Sequence, residues 1–148
     1  MRNRSCINKF VDEGTVAGSV IEANEDFIAC GSTTGVVNVY KNEYNLPTTL
    51  TSGLQRKPVK TLMNLTTHVS SLTFNNQGEI LAMASKEKEN SVKLVHIPSM
   101  TVFSNFPFLN SNWGRPMTMT FSPNSGFFCL GNNRGSAYLY RVKHYENY

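Results

Sequence analysis

The chain has few of the residues from which catalytic and metal centres are usually built. It contains two aspartates, Asp12 and Asp26, and three widely separated histidines, His68, His96 and His144. No H-x-x-x-H or H-E-x-x-H spacing occurs, so the sequence offers no metal-ligand set. A G-x-S-x-G sequence is also missing, and no hydrolase triad can be assembled. We therefore predict a protein that is not an enzyme and that binds no cofactor or metal.

Cysteine, long apolar runs and dense charge are scarce as well. Cys6, Cys30 and Cys129 form no C-x-x-C pair, and the last two precede glycines that end apolar runs, which predicts small core residues in a reducing compartment. No stretch approaches the roughly 20 apolar residues that span a bilayer, so we expect no membrane contact. The net charge is +4, with basic residues scattered along the chain. Such a charge is compatible with work near nucleic acid and does not by itself indicate it.

A cassette that occurs three times is the main positive signal. An apolar run reaches a small residue, a polar turn follows, and a second apolar run ends the cassette. The small residues are Gly31, Ala84 and Gly131. The second and third copies match at a constant offset of 47, which pairs Phe74 with Phe121, Leu81 with Phe128, and Met83 with Leu130. Repeats of this length with several short strands indicate stacked β units, because one unit cannot bury its faces alone.

Short apolar runs between turn-forming residues predict four strands in each of three units, covering residues 6–40, 58–97 and 101–142 of a single domain, 1–148. Residues 41–57 are expected to form a long exposed loop. Four-stranded units at this period are typical of β-propeller blades. A β-sandwich would also give many short strands, but its strands need not repeat. The predicted fold is therefore all-β, a partial and open propeller of about three units.

The glycines of the cassettes raise one further question. The first and third copies share Gly-x-x-x-Gly-x-x-x-x-Tyr, as Gly31, Gly35 and Tyr40 and as Gly131, Gly135 and Tyr140. Neither copy has a P-loop lysine or a following helix. We predict that these glycines serve the geometry of turns between strands, where glycine accepts positive φ without penalty.

Specific strings in and between the cassettes carry a family resemblance. They are Phe10-Val11-Asp12-Glu13-Gly14, Ala29-Cys30-Gly31-Ser32, Val69-Ser70-Ser71-Leu72-Thr73-Phe74-Asn75, Leu94-Val95-His96-Ile97-Pro98-Ser99, Thr101-Val102-Phe103-Ser104-Asn105-Phe106-Pro107, Phe121-Ser122-Pro123-Asn124-Ser125-Gly126 and Tyr140-Arg141-Val142-Lys143-His144-Tyr145. Together they resemble the C-terminal part of the propeller of the U3 small nucleolar RNA-associated protein 18 family, a family of WD-repeat proteins. The chain departs from the repeat pattern, because its single tryptophan, Trp113, is followed by glycine and no Trp-Asp dipeptide exists.

The resemblance implies a non-catalytic scaffold in the nucleolus that takes part in maturation of 18S ribosomal RNA. Its implied partners are protein subunits of the small-subunit processome, especially WD-repeat subunits of the UtpB subcomplex, close to pre-ribosomal RNA and U3 small nucleolar RNA. Two alternatives stay open: a β module that binds RNA directly, and a truncated, non-functional gene product. A short isoform, a truncated gene copy or a partial gene model would each explain the three units.

Two expectations concern surfaces. Aromatic residues gather around residues 103–116, where we predict that Phe103 and Phe106 pack between units. Trp113, Arg115 and Phe108 form the candidate interaction surface, because exposed aromatics beside arginine can stack on unpaired bases for about 1–3 kcal/mol each. Three units are too few to close a ring, since roughly four to eight blades do so. Open propeller edges then predict self-association of the isolated chain.

Overall fold

A computed structural model of the chain describes residues 6, 9–42 and 56–146. Within these ranges the chain forms eleven β-strands and no helix. The strands are β1 (Gly18–Ala23), β2 (Phe27–Ser32), β3 (Val37–Lys41), β4 (Lys60–Leu62), β5 (Ser71–Phe74), β6 (Ile80–Ala84), β7 (Val92–His96), β8 (Thr101–Val102), β9 (Pro116–Phe121), β10 (Phe127–Asn132) and β11 (Ala137–Arg141).

The strands form three antiparallel sheets. Strands β1 to β4 make the first sheet, β5 to β8 the second, and β9 to β11 the third, each in simple sequential order. Tight turns connect the strands within each sheet: the Gly78 amide donates to the Asn75 carbonyl at 3.0 Å, and the Ser125 amide donates to the Ser122 carbonyl at 2.8 Å. The all-β prediction is confirmed, and the three sheets do not close into a ring.

Each of the first two sheets ends one strand later in the chain than the unit predicted from the sequence repeat. Lys60–Leu62 pairs with β3 and completes the first sheet, and Thr101–Val102 pairs with β7 and completes the second. Each short outer strand returns along the edge of its own sheet before the chain crosses to the next one. The expectations that residue 58 opens the second unit and that residue 101 opens the third are therefore wrong, and the third sheet has three strands within the described residues rather than four.

The first predicted strand and the first predicted loop have a limited description. In the apolar stretch 6–11, residues 7 and 8 lie outside the described residues, and only Val11 makes an isolated β-bridge. Residues 43–55 of the expected loop also lie outside the described residues. The described remainder of the N-terminal segment passes over the first sheet, where the ring of Phe10 lies 4.9 Å from that of Tyr40.

The strand registers confirm the internal repeat. Phe74 lies opposite Leu81 in the second sheet, and Phe121 lies opposite Phe128 in the third. Leu72 and Met83 form the next pair on that face, and their equivalents in the third sheet are Met119 and Leu130. The offset of 47 therefore relates residues that occupy the same place in the two sheets.

The second sheet is packed on both faces, and its central strand β6 is buried along its whole length. One face packs on the first sheet through twelve buried apolar side chains that include Leu81, Met83 and Val39. The other face, with Ala82, Ala84 and Val92, packs on the third sheet. Burial of a Val, Leu or Met side chain contributes about 1.5–3 kcal/mol, so these two interfaces hold the three sheets together.

Two cassette glycines confirm the predicted role in turns. Gly35 has φ +93° and Gly135 has φ +80°, the left-handed region that glycine enters without a Cβ penalty. Gly31 lies in a strand and is small for a different reason, because a Cβ there would lie 2.8 Å from Cγ1 atoms of both Val20 and Val69. Its missing side chain lets the first two sheets approach each other closely.

Candidate interaction surface

A cluster of aromatic rings lies beneath the loop that joins the second and third sheets. Phe106 is 8% exposed and is the centre of the cluster. Its ring centroid lies 5.3 Å from that of Trp113, 5.8 Å from Phe108, and 6.0 Å from both Phe128 and Tyr140. The prediction that Phe106 packs between units is confirmed. The pairs of Phe106 with Phe108, Phe128 and Tyr140 are edge-to-face, and such ring pairs add about 0.5–1.5 kcal/mol each to the burial of their area.

Trp113 is part of this core and not of the surface. Its side chain is 2% exposed, and its indole Nε1 donates a hydrogen bond to the Tyr140 hydroxyl at 2.5 Å. The Trp113 amide donates to Asn90 Oδ1, and its carbonyl accepts from Asn132 Nδ2. An indole enclosed in this way has no free face for a base or a partner. The expected exposure of Trp113 is therefore wrong, because partners from three other turns and strands enclose it.

Phe108 lies at the surface of the same loop and keeps its place in the candidate interaction surface. It is 56% exposed, and its ring contacts Phe106 and Tyr140 at 5.8 and 6.1 Å. Leu109 beside it is fully exposed, at 105%. The Ser111 amide donates to the Phe108 carbonyl at 3.0 Å and closes a turn there. Phe108 and Leu109 thus form an exposed apolar tip on the loop, and the contacts of Phe108 with Phe106 and Tyr140 hold this tip in place.

Arg115 is exposed, as expected, and directly precedes β9. Its amide donates to Asn133 Oδ1 at 3.0 Å, and its carbonyl accepts from the Asn133 amide at 3.1 Å. Arg134 is the residue after Asn133, and its guanidinium lies 3.5 Å from the Glu89 carboxylate. These two hydrogen bonds fix the backbone of Arg115 to the turn between β10 and β11, which also contains Arg134. An exposed ion pair such as that of Arg134 adds little stability, about 0–1 kcal/mol, so the pair does not prevent Arg134 from contacting a ligand.

The sequence reasoning missed Leu109 and Arg134 as members of this surface. Both flank residues that it did single out, but neither belongs to a motif. The signal for Arg134 was the position of its turn, since residues 133–136 lead into β11 and residues 103–115 lead into β9, and these two strands flank β10 and begin at the same end of the sheet. Leu109 carried no signal, because a single leucine in a loop belongs to no periodic pattern that predicts its exposure. We define the contact surface as Phe108, Leu109, Arg115 and Arg134.

A second polar cluster fixes the N-terminal segment to the first sheet. The Asp12 carboxylate accepts hydrogen bonds from the Tyr40 hydroxyl at 2.6 Å, Asn38 Nδ2 at 2.8 Å and Thr15 Oγ1 at 2.5 Å. The Tyr40 hydroxyl in turn accepts from the Glu13 amide at 2.9 Å. Tyr40 and Asn38 are each 1% exposed. Burial, and next the charge of Asp12, also raise the pKa of the nearby Cys30 thiol to about 11, so this thiol stays neutral.

Two tyrosines with raised pKa values should make the free energy of unfolding fall as the pH rises above about 10. Burial, followed by the hydrogen bond to Asp12, raises the pKa of Tyr40 to about 12, and burial followed by the hydrogen bond to Glu79 does the same for Tyr145. The unfolded chain releases these protons near the ordinary pKa of about 10, so the stabilisation is complete below pH 10 and is lost as the pH rises towards 12.

Tyr40→Phe tests this dependence. We expect the variant to lose less stability than the parent between pH 10 and 12, and to be less stable at neutral pH because the Glu13 amide loses its acceptor. Urea titrations at a series of pH values measure both effects. Equal slopes for variant and parent above pH 10 would contradict the assignment to Tyr40.

Another polar feature, a groove, lies at the opposite end of the sheets from Arg115. A groove between the first two sheets has an acidic side formed by Glu22, Glu25 and Asp26 and an amide side formed by residues 75–77. Burial raises the pKa of Glu22. Within residues 6, 9–42 and 56–146, no three His, Cys, Asp or Glu side chains gather in a way that could hold a metal ion. In the same ranges, no helix is long and apolar enough to cross a membrane.

Known proteins resemble the chain along its whole length. The human U3 small nucleolar RNA-associated protein 18 homolog is 48% identical over 151 residues, which cover 100% of this chain. The chain belongs to the U3 small nucleolar RNA-associated protein 18 family. The family's Arabidopsis thaliana homolog is 42% identical over 99% of the chain, and its Saccharomyces cerevisiae member is 39% identical over 80%. No family model matches the sequence.

The chain spans about a quarter of the length of these family members. It covers 26% of the human and Arabidopsis proteins and 19% of the yeast protein. Among solved structures, it is similar to the β-propeller domain of Cps50 (Swd1) from Myceliophteria thermophila, with a TM-score of 0.60 and 16% identity over 84% of this chain and 36% of that one. At this identity the likeness concerns the fold alone, and it supports a partial propeller.

Proposed function

We propose that the chain is a non-catalytic scaffold of the nucleolar small-subunit processome and acts in the maturation of 18S ribosomal RNA. The observation that carries this proposal is the 48% identity, along the whole chain, to a protein named for its association with U3 small nucleolar RNA. The fold agrees with a scaffold role, because blade-like sheets offer loops and edges for protein contacts, although one fold serves many functions.

The contact surface is the part of the chain that we assign to partner binding. Phe108 and Leu109 provide exposed apolar area, and the exposed Arg115 provides charge. Apolar anchors surrounded by polar side chains are the usual composition of protein interfaces, in which aromatic residues and arginine are enriched. Protein subunits of the processome, in particular UtpB-type WD-repeat proteins, are the proposed partners.

Affinity purification from nucleolar extract tests the proposal. We expect the tagged chain to recover U3 small nucleolar RNA together with UtpB subunits. The double substitution Phe108→Ala, Leu109→Ala should lower this recovery at least about tenfold, which corresponds to about 1.4 kcal/mol of binding free energy. Met63→Ala is the matched control, since Met63 is 70% exposed and lies outside the contact surface. Failure of the parent chain to recover either component would contradict the proposed function.

Direct binding to RNA is the second candidate, and the arginine pair Arg115 and Arg134 favours it. Binding through phosphates releases counterions, so the affinity of the purified chain for U3 RNA should then fall steeply with salt. Arg115→Ala would reduce the slope of log K against log salt by about 1. A flat salt dependence, or a slope that the substitution leaves unchanged, would exclude this candidate for Arg115.

A further inference from the structure

Asn132, the last residue of β10, uses both ends of its side-chain amide. Its Oδ1 accepts hydrogen bonds from the Ser136 amide at 2.7 Å and the Arg134 amide at 3.0 Å. Its Nδ2 donates to the Trp113 carbonyl at 2.7 Å. The residue is 9% exposed. The oxygen therefore shapes the turn that carries Arg134, while the nitrogen holds the backbone near the end of the loop that carries Phe108.

The internal repeat separates these two roles. Ser32 and Ser85 occupy the position of Asn132 in the first two cassettes. The Ser32 hydroxyl accepts from the Val36 amide at 3.1 Å, so a serine is sufficient to form the turn. The Ser85 hydroxyl lies 2.6 Å from the Thr67 hydroxyl, in the loop before β5. A link to the preceding loop thus recurs at this position, and in the third cassette it reaches the loop backbone through an amide.

The loop before β9 depends on such a link because it ends at a proline. Val69, which lies 47 positions before Pro116, donates its amide hydrogen to a carbonyl of the first sheet at 3.0 Å. Pro116 has no amide hydrogen, so the third sheet cannot form the equivalent bond to the second. Side chains replace it: Asn90 Oδ1 accepts from the Trp113 amide at 2.8 Å, and Asn132 holds the carbonyl of the same residue.

We propose that Asn132 is a positioning residue of the contact surface, an inference that rests on the proposed function. Through the Trp113 carbonyl it holds the loop that presents Phe108 and Leu109. Through its own oxygen it holds the turn that presents Arg134. A buried carbonyl without a donor is costly, so a loop without this bond would shift until the carbonyl met water. The partner would then have to order the loop on binding, which lowers affinity.

Asn132→Asp tests the assignment, because it keeps the size and the acceptor oxygen of the side chain and places a carboxylate oxygen against the Trp113 carbonyl. We expect the recovery of U3 small nucleolar RNA and UtpB subunits by the tagged chain to fall by about threefold to tenfold. Asn132→Ser keeps the turn, as Ser32 does, without the repulsion, so it should lose less. Asn124→Ser, in the exposed turn between β9 and β10, is the matched control and should recover both as the parent does.

Trp113 is the only tryptophan of the chain, so its fluorescence reports on the loop without any partner. The residue is 2% exposed in the parent. We expect Asn132→Asp to shift the emission to longer wavelength and to increase quenching by acrylamide, while circular dichroism finds the chain folded. If this variant unfolds, Asn132→Ser undergoes the same measurements, with a smaller shift expected. Emission and quenching equal to those of the parent would overturn the inference.

A combined variant distinguishes positioning from a general loss of stability. In the Phe108→Ala, Leu109→Ala background, Asn132→Asp should lower recovery no further, because it acts through the loop that presents these two side chains. Losses that multiply would overturn the inference. A parent chain that recovers neither the RNA nor UtpB subunits would contradict the proposed function, and the Trp113 emission would still decide whether Asn132 positions the loop.

Discussion

Replacing Gly35 by alanine should lower the free energy of unfolding by at least about 3 kcal/mol. This is the largest loss that we expect from a substitution that only adds a side chain. The residue has φ +93°, which a side chain disfavours. A Cβ there would lie 2.7 Å from the Leu65 carbonyl oxygen and 2.8 Å from that of Thr67. Both oxygens belong to the backbone that leads from the first sheet into the second, so relief of the clash would displace that connection. Urea denaturation followed by circular dichroism measures the loss.

Gly135→Ala is the matched control for this substitution. Gly135 occupies the same place in the third cassette and has φ +80°, but nothing lies within 4 Å of its Cβ position. The control therefore contains the backbone strain without the clash, and we expect it to cost about 1 kcal/mol. Equal losses at the two positions would show that the loop 63–70 can move aside.

The fold was largely predictable because the formation of each strand depends on the local sequence. A strand in this chain is a short apolar run between turn formers, and the copies reinforce one another, so the apolar run that reaches Ala84 in the sequence is the strand Ile80–Ala84 in the structure. Membership of a sheet is not local. Thr101–Val102 pairs with only two residues of β7, and the choice between this edge and the next sheet depends on where the chain can cross. Sequence periodicity does not carry that information.

The candidate surface was less predictable because exposure depends on remote partners. Phe108 and Trp113 are both aromatic residues of one loop, and their neighbours in sequence do not distinguish them. What separates them is the Tyr140 hydroxyl, 27 positions away, which accepts the indole hydrogen of Trp113. The repeated tyrosine of the cassette was visible in the sequence as a spacing, but its role became clear only from the packing of the third sheet on the loop.

Trp113→Ala should lower the free energy of unfolding by about 4 kcal/mol, the typical loss for a large aromatic side chain removed from a core. The cavity would lie between Phe106 and Tyr140, and the Tyr140 hydroxyl would lose its donor. Phe108→Ala serves as control at the same loop and should cost less than about 1 kcal/mol, because that ring is 56% exposed. Thermal and urea unfolding of the three proteins measure the difference.

Binding measured on the same variants separates the core role of Trp113 from a contact role. At a temperature where Trp113→Ala is still folded, we expect it to recover U3 small nucleolar RNA as the parent does, and Phe108→Ala to recover less. Trp113→Ala should then be impaired in the unfolding assay and Phe108→Ala in the recovery assay, because the Trp113 ring stabilises the loop and the Phe108 ring contacts the partner. A Trp113→Ala protein with parental stability and no recovery of RNA would overturn this division and return Trp113 to the contact surface.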